Sequence, residues 1–327
     1  ALADILDGTA TPAQMAGFIV GLRQKGETVE ELSGMIEAML AAAERVTLPD
    51  GMIAVDTCGT GGSPSRSQAC FNVSTIAGLV IAGAGAKVCK HGGRAASATS
   101  SSGDLLEALG VVIELGPAGV AACVVEAGFG FCFAPRYHPG MRHAGPVRRE
   151  LGVPTTFNFL GPLANPAGVT RQVLGVSDPQ MATRMIGVLQ ARGADRALVV
   201  YGHDGLDELT TTTTSTVHEL RDGEVRTYAV DPADLGIEHV DASALLGGDA
   251  ARNLELATSV LAGDRGAHRD IVLLNAAAGL VAAGVVDELA DGYEAAAASI
   301  DGGAATAVLE RAVTVSQRAK AAEPASS

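Results

Sequence analysis

Tryptophan is absent from the 327 residues, and aromatic side chains make up only 3% of them. No apolar run approaches the roughly 20 residues of a membrane-spanning helix. The most apolar stretch, 76–88, is short and broken by glycine, so no membrane partner is expected. Basic residues are outnumbered, 23 Lys and Arg against 37 Asp and Glu, for a net charge of −14. A surface of that sign argues against nucleic-acid binding, which needs a basic face. It leaves room for a locally basic pocket that receives a polyanion. Cysteine is sparse: Cys58, Cys70, Cys89, Cys123 and Cys132, with no CxxC pair. An odd count at this spacing fits neither a disulfide framework nor a zinc site. Buried, reduced thiols are the reading, and a cytoplasmic location is expected. The opening ALADILDGTATPAQ has no basic segment ahead of an apolar core and does not read as a signal peptide.

What is abundant is small. Alanine and 41 glycines suit close packing of helices on a sheet. Thr11-Pro12-Ala13-Gln14 is a helix start, with Thr as cap, Pro at the first helical position and Gln closing a capping box. Gly26 can end that helix. Thr28 to Glu31 repeats the logic, so the chain opens with a helical module ending near Ala43. The pattern then changes. Residues 52–58 read as a strand, 75–83 as a helix, 87–89 as a strand, 105–109 as a helix and 111–115 as a strand. Residues 118–127 read as helix, 130–134 as strand, and 172–176 and 197–201 as strands separated by a helix. Alternation of this kind predicts an α/β fold with a mostly parallel central sheet. Asp222-Gly223 between two β-rich runs predicts a hairpin, hence an antiparallel part. From Asp249 to about 322 the chain is Ala-rich and helical. The insert 139–167 interrupts the alternation and is expected to leave the sheet and pack on the first helices.

The most informative stretch is DTCGTGGSPSRSQACFNVST, followed by KHGGRAAS. Gly59, Gly61 and Gly62 lie between a predicted strand and a predicted helix, where backbone can approach a phosphate closely. Asn72, Ser74 and Thr75 add an amide and hydroxyls. Ser74 can cap the helix, or offer its oxygen to Mg²⁺. Lys90 follows a short apolar strand at the end where ligands of open α/β sheets bind, and its point charge suits phosphate; a solvated surface lysine is the plain alternative. His91 alone says little. Ser97, Thr99, Ser100, Ser101 and Ser102 make either a flexible loop or a second phosphate clamp. Asp207-Glu208, beside glycine turns, suit Mg²⁺, which takes hard oxygen ligands; an acidic surface turn has the same look. The threonine run 210–214 is plausible as strand or loop. Arg148 could fork onto a substrate carboxylate or make a surface salt bridge. No nucleophile–base triad stands out.

Together these residues resemble the anthranilate phosphoribosyltransferase family of tryptophan biosynthesis, its actinobacterial members most closely. The resemblance runs through GTATPAQMAGFIVGLRQKGET, DTCGTGG, FNVST, KHGGRAAS, DLLEALGV, FCFAPRYHPGMRHAGPVRRELGVPTTFNFLGPLANP, GLDELTTTTTST, GGDAARN and LLNAAAGL. It implies a helical domain over 1–48, carrying the insert about 139–167, and an α/β domain over 49–138 and 168–327. It implies homodimers through the helical domains, a Mg²⁺ cofactor, and an N-terminus partway into the family's first helix. Phosphoribosyl pyrophosphate would be held by Gly59, Gly62, Ser63, Asn72, Val73, Ser74, Thr75, Lys90, His91, Gly92, Ser97 and Ser102. Anthranilate would meet Gly59, Gly93, His138 and Arg148, and Mg²⁺ would meet Ser74, Asp207 and Glu208. Catalysis would come from positioning and charge stabilisation, with no covalent residue. The chain departs from the family pattern where Ser63 stands for Asp and Gly93 for Asn. It departs again at Cys70, in a longer glycine loop. The alternatives are transfer to another aromatic acceptor in a specialised pathway, a related nucleoside phosphorylase, or a non-catalytic binding homologue.

Overall fold

The computed structural model describes residues 1–61, 71–94 and 101–323. Three helices open the chain: α1 (Leu2–Leu6), α2 (Pro12–Lys25) and α3 (Val29–Ala41). Both predicted capping boxes form. The Thr11 hydroxyl accepts from the Gln14 N–H and the Gln14 side chain accepts from the Thr11 N–H; Thr28 and Glu31 do the same. The next elements are β1 (Val55–Gly59), α4 (Val73–Gly83), β2 (Val88–Gly92), α5 (Ser102–Ala108), α6 (Pro117–Ala122) and β3 (Phe129–Phe133). A π-helical turn, Cys123–Ala127, extends α6. A short helix α7 (Ala134–Tyr137) precedes the insert, which carries α8 (Gly145–Leu151) and α9 (Phe157–Leu163). After it come β4 (Arg171–Gly175), α10 (Pro179–Ala191), β5 (Arg196–Gly202), β6 (Ser215–Arg221) and β7 (Glu224–Val230). The tail is four helices, α11 (Ala250–Leu261), α12 (Ala267–Ala283), α13 (Leu289–Asp301) and α14 (Ala304–Ala322).

The seven strands form one sheet in the order β3-β2-β1-β4-β5-β6-β7. The first five are parallel, and β6 and β7 run antiparallel. The predicted hairpin turn is Asp222-Gly223, both with positive φ (53° and 80°), the twist that matches right-handed strands. The chain lays down β1, β2 and β3 in one direction and then returns to place β4 on the other flank of β1. The topological switch point therefore lies between β1 and β4, the crevice where open α/β sheets receive ligands.

Alternate side chains of the strands feed two apolar clusters. Val173, Leu198 and Val200 face α4, α12, α13 and α14. Leu174, Ala197 and Val199 face the other way, in a cluster shared by α1, α2, α3, α8, α9 and α10. Burying side chains on both faces is what a parallel sheet requires.

One expected strand is not there. Residues 111–115 run extended and alternate between buried and more exposed, yet join no sheet. The Val111 N–H donates to the Leu106 carbonyl, and side chains meet the next residues: Ser316 accepts from the Val112 N–H, Tyr137 donates to the Leu115 carbonyl, and Lys320 donates to the Glu114 carbonyl. Alternation records a two-sided environment, here met by α14, without specifying a strand neighbour. The threonine run is loop up to Thr214, and the strand starts at Ser215. Cys58, Cys89, Cys123 and Cys132 are buried and free, while Cys70 lies outside the described residues. Among the described residues, no helix is long and apolar enough to cross a membrane.

Candidate active site

The carboxyl ends of β1 and β4 finish in a register pair of glycines, Gly59 opposite Gly175. A side chain at Gly175 would run into the Asp207 backbone, and one at Gly59 would push the Asp207 carboxylate aside. A Cβ on Gly59 would lie 2.2 Å from an Asp207 carboxylate oxygen, and one on Gly175 only 1.6 Å from the Asp207 carbonyl oxygen. The absent side chains let the loop after β5 drop onto the switch point. There the Gly61 N–H donates to the Asp207 carboxylate at 2.9 Å, and the Thr60 N–H donates to the Gly175 carbonyl at 2.9 Å. Burial raises the carboxyl of Asp207 above its ordinary range. Burial, with the Asp207 charge beside it, pushes Glu208 up to about 8, against the pull of Lys90 and the Ser74 backbone. Adjacent carboxylates under mutual repulsion form a hard oxygen donor set whose charge a divalent cation would relieve.

Opposite this pair stands the start of α4. Asn72 is its cap residue but makes no side-chain cap bond, and Ser74 sits inside the first turn. The capping role considered for Ser74 is thus corrected. Its hydroxyl instead accepts from Lys90 Nζ at 3.1 Å, and Nζ also donates to the Thr57 carbonyl. Lys90 is 1% exposed, so it is no solvated surface lysine. Thr75 is fully buried and its hydroxyl has no partner among the described residues. Next to Lys90, buried Asp56 spans the seam between β1 and β2. It accepts from the His91 N–H at 3.0 Å and the Asn165 amide at 2.9 Å. Burial lifts its carboxyl to about 6 despite those bonds and the Lys90 charge.

On the β2 side, His91 and His138 meet edge to face with centroids 5.1 Å apart. Each ring is anchored to a backbone carbonyl of the insert. His91 Nδ1–H donates to Gly161 at 3.1 Å, and His138 Nε2–H donates to Ala164 at 2.9 Å. Burial lowers both, His91 to about 3 with His138 and Lys90 adding to the effect, so both rings are neutral at pH 7. Arg148, on α8, lies 5.8 Å over the Phe157 ring and donates to Asn158 at 3.4 Å. It has no salt bridge among the described residues, and burial lowers its pKa. A half-buried guanidinium without a carboxylate partner is suited to receive an anionic ligand group.

The helical and α/β parts match two family models, "Glycosyl transferase family, helical bundle domain" over residues 1–43 and "Glycosyl transferase family, a/b domain" over 51–306. An anthranilate phosphoribosyltransferase of Salinispora arenicola is 51% identical over 322 residues, covering 96% of this chain and 90% of that one. One from Nocardioides sp. is 51% identical over 326 residues, covering 97% and 93%. The crystal structure of anthranilate phosphoribosyltransferase from Thermus thermophilus matches with a TM-score of 0.90 at 41% identity, covering 97% of this chain and 93% of that one. The Saccharomyces cerevisiae enzyme, solved with PRPP and Mg, matches with a TM-score of 0.87 at 28% identity over 97% and 91%. The chain belongs to the anthranilate phosphoribosyltransferase family.

Among the residues that family resemblance singles out, the fold gathers Gly59, Ser74, Lys90, Asp207 and Glu208 around the switch point. His91 and His138 meet on the β2 side, with Gly92 and Gly93 at the end of β2. A Cβ on Gly93 would meet Ala134 at 3.6 Å, an ordinary contact, so this position holds space. Ser102 starts α5, its Cβ near Gly92, while Ser101 is that helix's cap and bonds Asp104. Gly62, Ser63, Ser97, Thr99 and Ser100 lie outside the described residues.

Several residues escaped the sequence reading. Asp56 stood within a quoted motif but was overshadowed by the glycines after it. Gly175 acts through its register partner, which no local pattern shows. Asn253, inside GGDAARN, accepts from the Gly248 N–H at 2.8 Å and donates to Asn72 at 3.3 Å. A polar residue at a buried position of an apolar helix was the available signal for Asn253, and for Asn275 in LLNAAAGL.

Proposed function

We propose that this chain joins the amine of anthranilate to C1 of the ribose in phosphoribosyl pyrophosphate, releasing pyrophosphate, as a step of tryptophan biosynthesis. The observation that carries this reading is the pairing, across one switch point, of a buried lysine–serine contact with an acidic pair. Lys90 supplies a fixed positive charge and the α4 N-terminus supplies N–H donors to the diphosphate. Ser74, Asp207 and Glu208 would hold Mg²⁺, which when bound neutralises charge growing on the leaving pyrophosphate. Among the described residues no cluster of three or more His, Cys, Asp or Glu could hold a metal unaided. That suits an ion whose shell substrate oxygens and waters complete. Arg148 would fork onto the anthranilate carboxylate, with the neutral His91–His138 pair as the wall beside it. The acceptor amine attacks C1 as the C1–O bond to pyrophosphate breaks, so no side-chain nucleophile is needed.

The proposed domains are 1–48 with the insert about 139–167, and 49–138 with 168–327. Two copies would meet through the helical part, where Val20 is 47% exposed on α2. Light scattering tests that assembly; a monomer overturns it. Phosphoribosyl pyrophosphate, Mg²⁺ and anthranilate with the purified chain should give loss of anthranilate fluorescence and release of pyrophosphate. No turnover would remove the reading. The space at Gly93 favours one rival, a larger acceptor, so the assay includes ring-substituted anthranilates.

A further inference from the structure

The mechanism needs Asp207 and Glu208 in place, and both sit on a loop between β5 and β6. That loop is fixed at three points. Its ends are tied together, the His203 N–H donating to the Thr214 carbonyl at 3.1 Å. Inside it, Asp204 accepts from the Leu206 N–H at 3.1 Å and from the hydroxyls of Thr210 at 2.9 Å and Thr212 at 2.6 Å. From outside, buried Asn275 of α12 grips the peptide groups next to Glu208. Its Oδ1 accepts from the Leu209 N–H at 3.0 Å, and its Nδ2 donates to the Leu209 carbonyl at 2.9 Å and to the Ile271 carbonyl at 2.9 Å. A two-way clamp on one residue's backbone fixes both position and rotation of the peptide. The threonine run, unexplained by sequence, supplies the hydroxyls that close the loop from within.

We propose that Asn275 and Asp204 are positioning residues: they hold the Asp207–Glu208 carboxylates in the arrangement that receives Mg²⁺. The proposal rests on the metal assignment made above. Neither residue touches the ion or substrate; each acts through the loop. Partners of metal ligands commonly set metal affinity by about 10- to 100-fold.

The test is a Mn²⁺ titration followed by electron paramagnetic resonance, on the full chain with phosphoribosyl pyrophosphate present, with thermal midpoints of the metal-free proteins recorded alongside. Asn275→Ala and Asp204→Ala should weaken Mn²⁺ binding by about 10-fold or more. Asp204→Asn should recover most of the affinity, because its carbonyl still accepts from Leu206 and the threonine hydroxyls can turn to accept from its amide. Ser299→Ala serves as the stability control; it removes a buried bond from α13 to the Val80 carbonyl of α4 and touches no residue of the loop. If the two alanine variants lose no more Mn²⁺ affinity than Ser299→Ala, the anchors are merely structural and the proposal is overturned. If the parent binds no Mn²⁺, or the Asp207→Ala, Glu208→Ala double variant binds like the parent, the metal assignment itself falls and takes the proposal with it.

Discussion

On the β4 side of the cleft, Asp207 and Glu208 ride a loop tied at its ends, stapled by Asp204 and clamped by Asn275. On the insert, the Arg148 guanidinium has one hydrogen bond among the described residues, at 3.4 Å, and a ring beneath it. At the end of β2, Gly93 leaves space. Under the proposed function, the contrast follows the chemistry each side would serve. Charge that grows during bond cleavage is stabilised only by groups already in place, since reorganisation would cost what the interaction gains. An acceptor that must enter, turn its amine and leave as product is better served by a charged arm with some freedom.

The largest expected effect breaks the rigid side. Replacing Asp207 and Glu208 together by Ala should lower kcat about 100-fold or more, the scale of losing a preorganised charge stabiliser. EDTA should silence the parent and Mg²⁺ restore it. Turnover near the parent's in the double variant would leave the acidic side without a role.

The second prediction concerns the seam between the sides. Asp56 is lifted from an ordinary value of 3.8 to about 6. Between those two values the unfolded chain releases the proton first, so the native state holds more protons and stability falls as pH rises. Below about pH 4 the penalty is absent, and above about 6 it is complete, roughly 3 kcal/mol across the window. Asp56→Asn should remove this dependence. His91, depressed to about 3, gives the opposite slope over all of that range, but it is common to both proteins and drops out of their difference. Urea unfolding at several pH values reads the difference; a constant gap between variant and parent from pH 4 to 6 contradicts the expectation.

Arg148→Ala comes next. It should raise the KM for anthranilate far more than that for phosphoribosyl pyrophosphate, by roughly 1.5–3 kcal/mol or about 10- to 150-fold. Equal rises in both would make Arg148 a structural residue and erase the contrast.

The smallest effect sharpens the same side. At Gly93→Asn the added Cβ would lie 3.6 Å from Ala134, an ordinary contact. It should lower the anthranilate KM by about one hydrogen bond, ~0.5–1.5 kcal/mol. If the space serves a larger acceptor, substituted anthranilates will outperform anthranilate in the parent, and the substitution will worsen them.

Within each side, residues differed in how far the sequence disclosed them. The convergence of Gly59, Lys90 and the Asp207-Glu208 pair on one region was legible because each is a local pattern with a direct chemical meaning, while the rest of the glycine loop lies outside the described residues. The two capping boxes and the Asp222-Gly223 turn were legible for the same reason: a few neighbouring residues satisfy one another. Asp56, Gly175, Asn253 and Asn275 were not, because their roles depend on partners brought close only by strand order and helix packing. Residues 111–115 show the limit from the other direction. Their alternation was real, but it reported burial against α14, while strand identity depends on which backbone supplies the hydrogen bonds.

The glycine pair at the ends of β1 and β4 has a consequence for inheritance. A glycine codon is one base away from several other residues, and each would place a Cβ inside the space that Asp207 occupies. A missense change at Gly175 should therefore behave genetically like a change at Asp207, giving tryptophan auxotrophy from a strand residue with no polar side chain. Suppressors of such an allele should arise in the 202–214 loop, where a shift of the backbone can restore the clearance that the lost glycine had given.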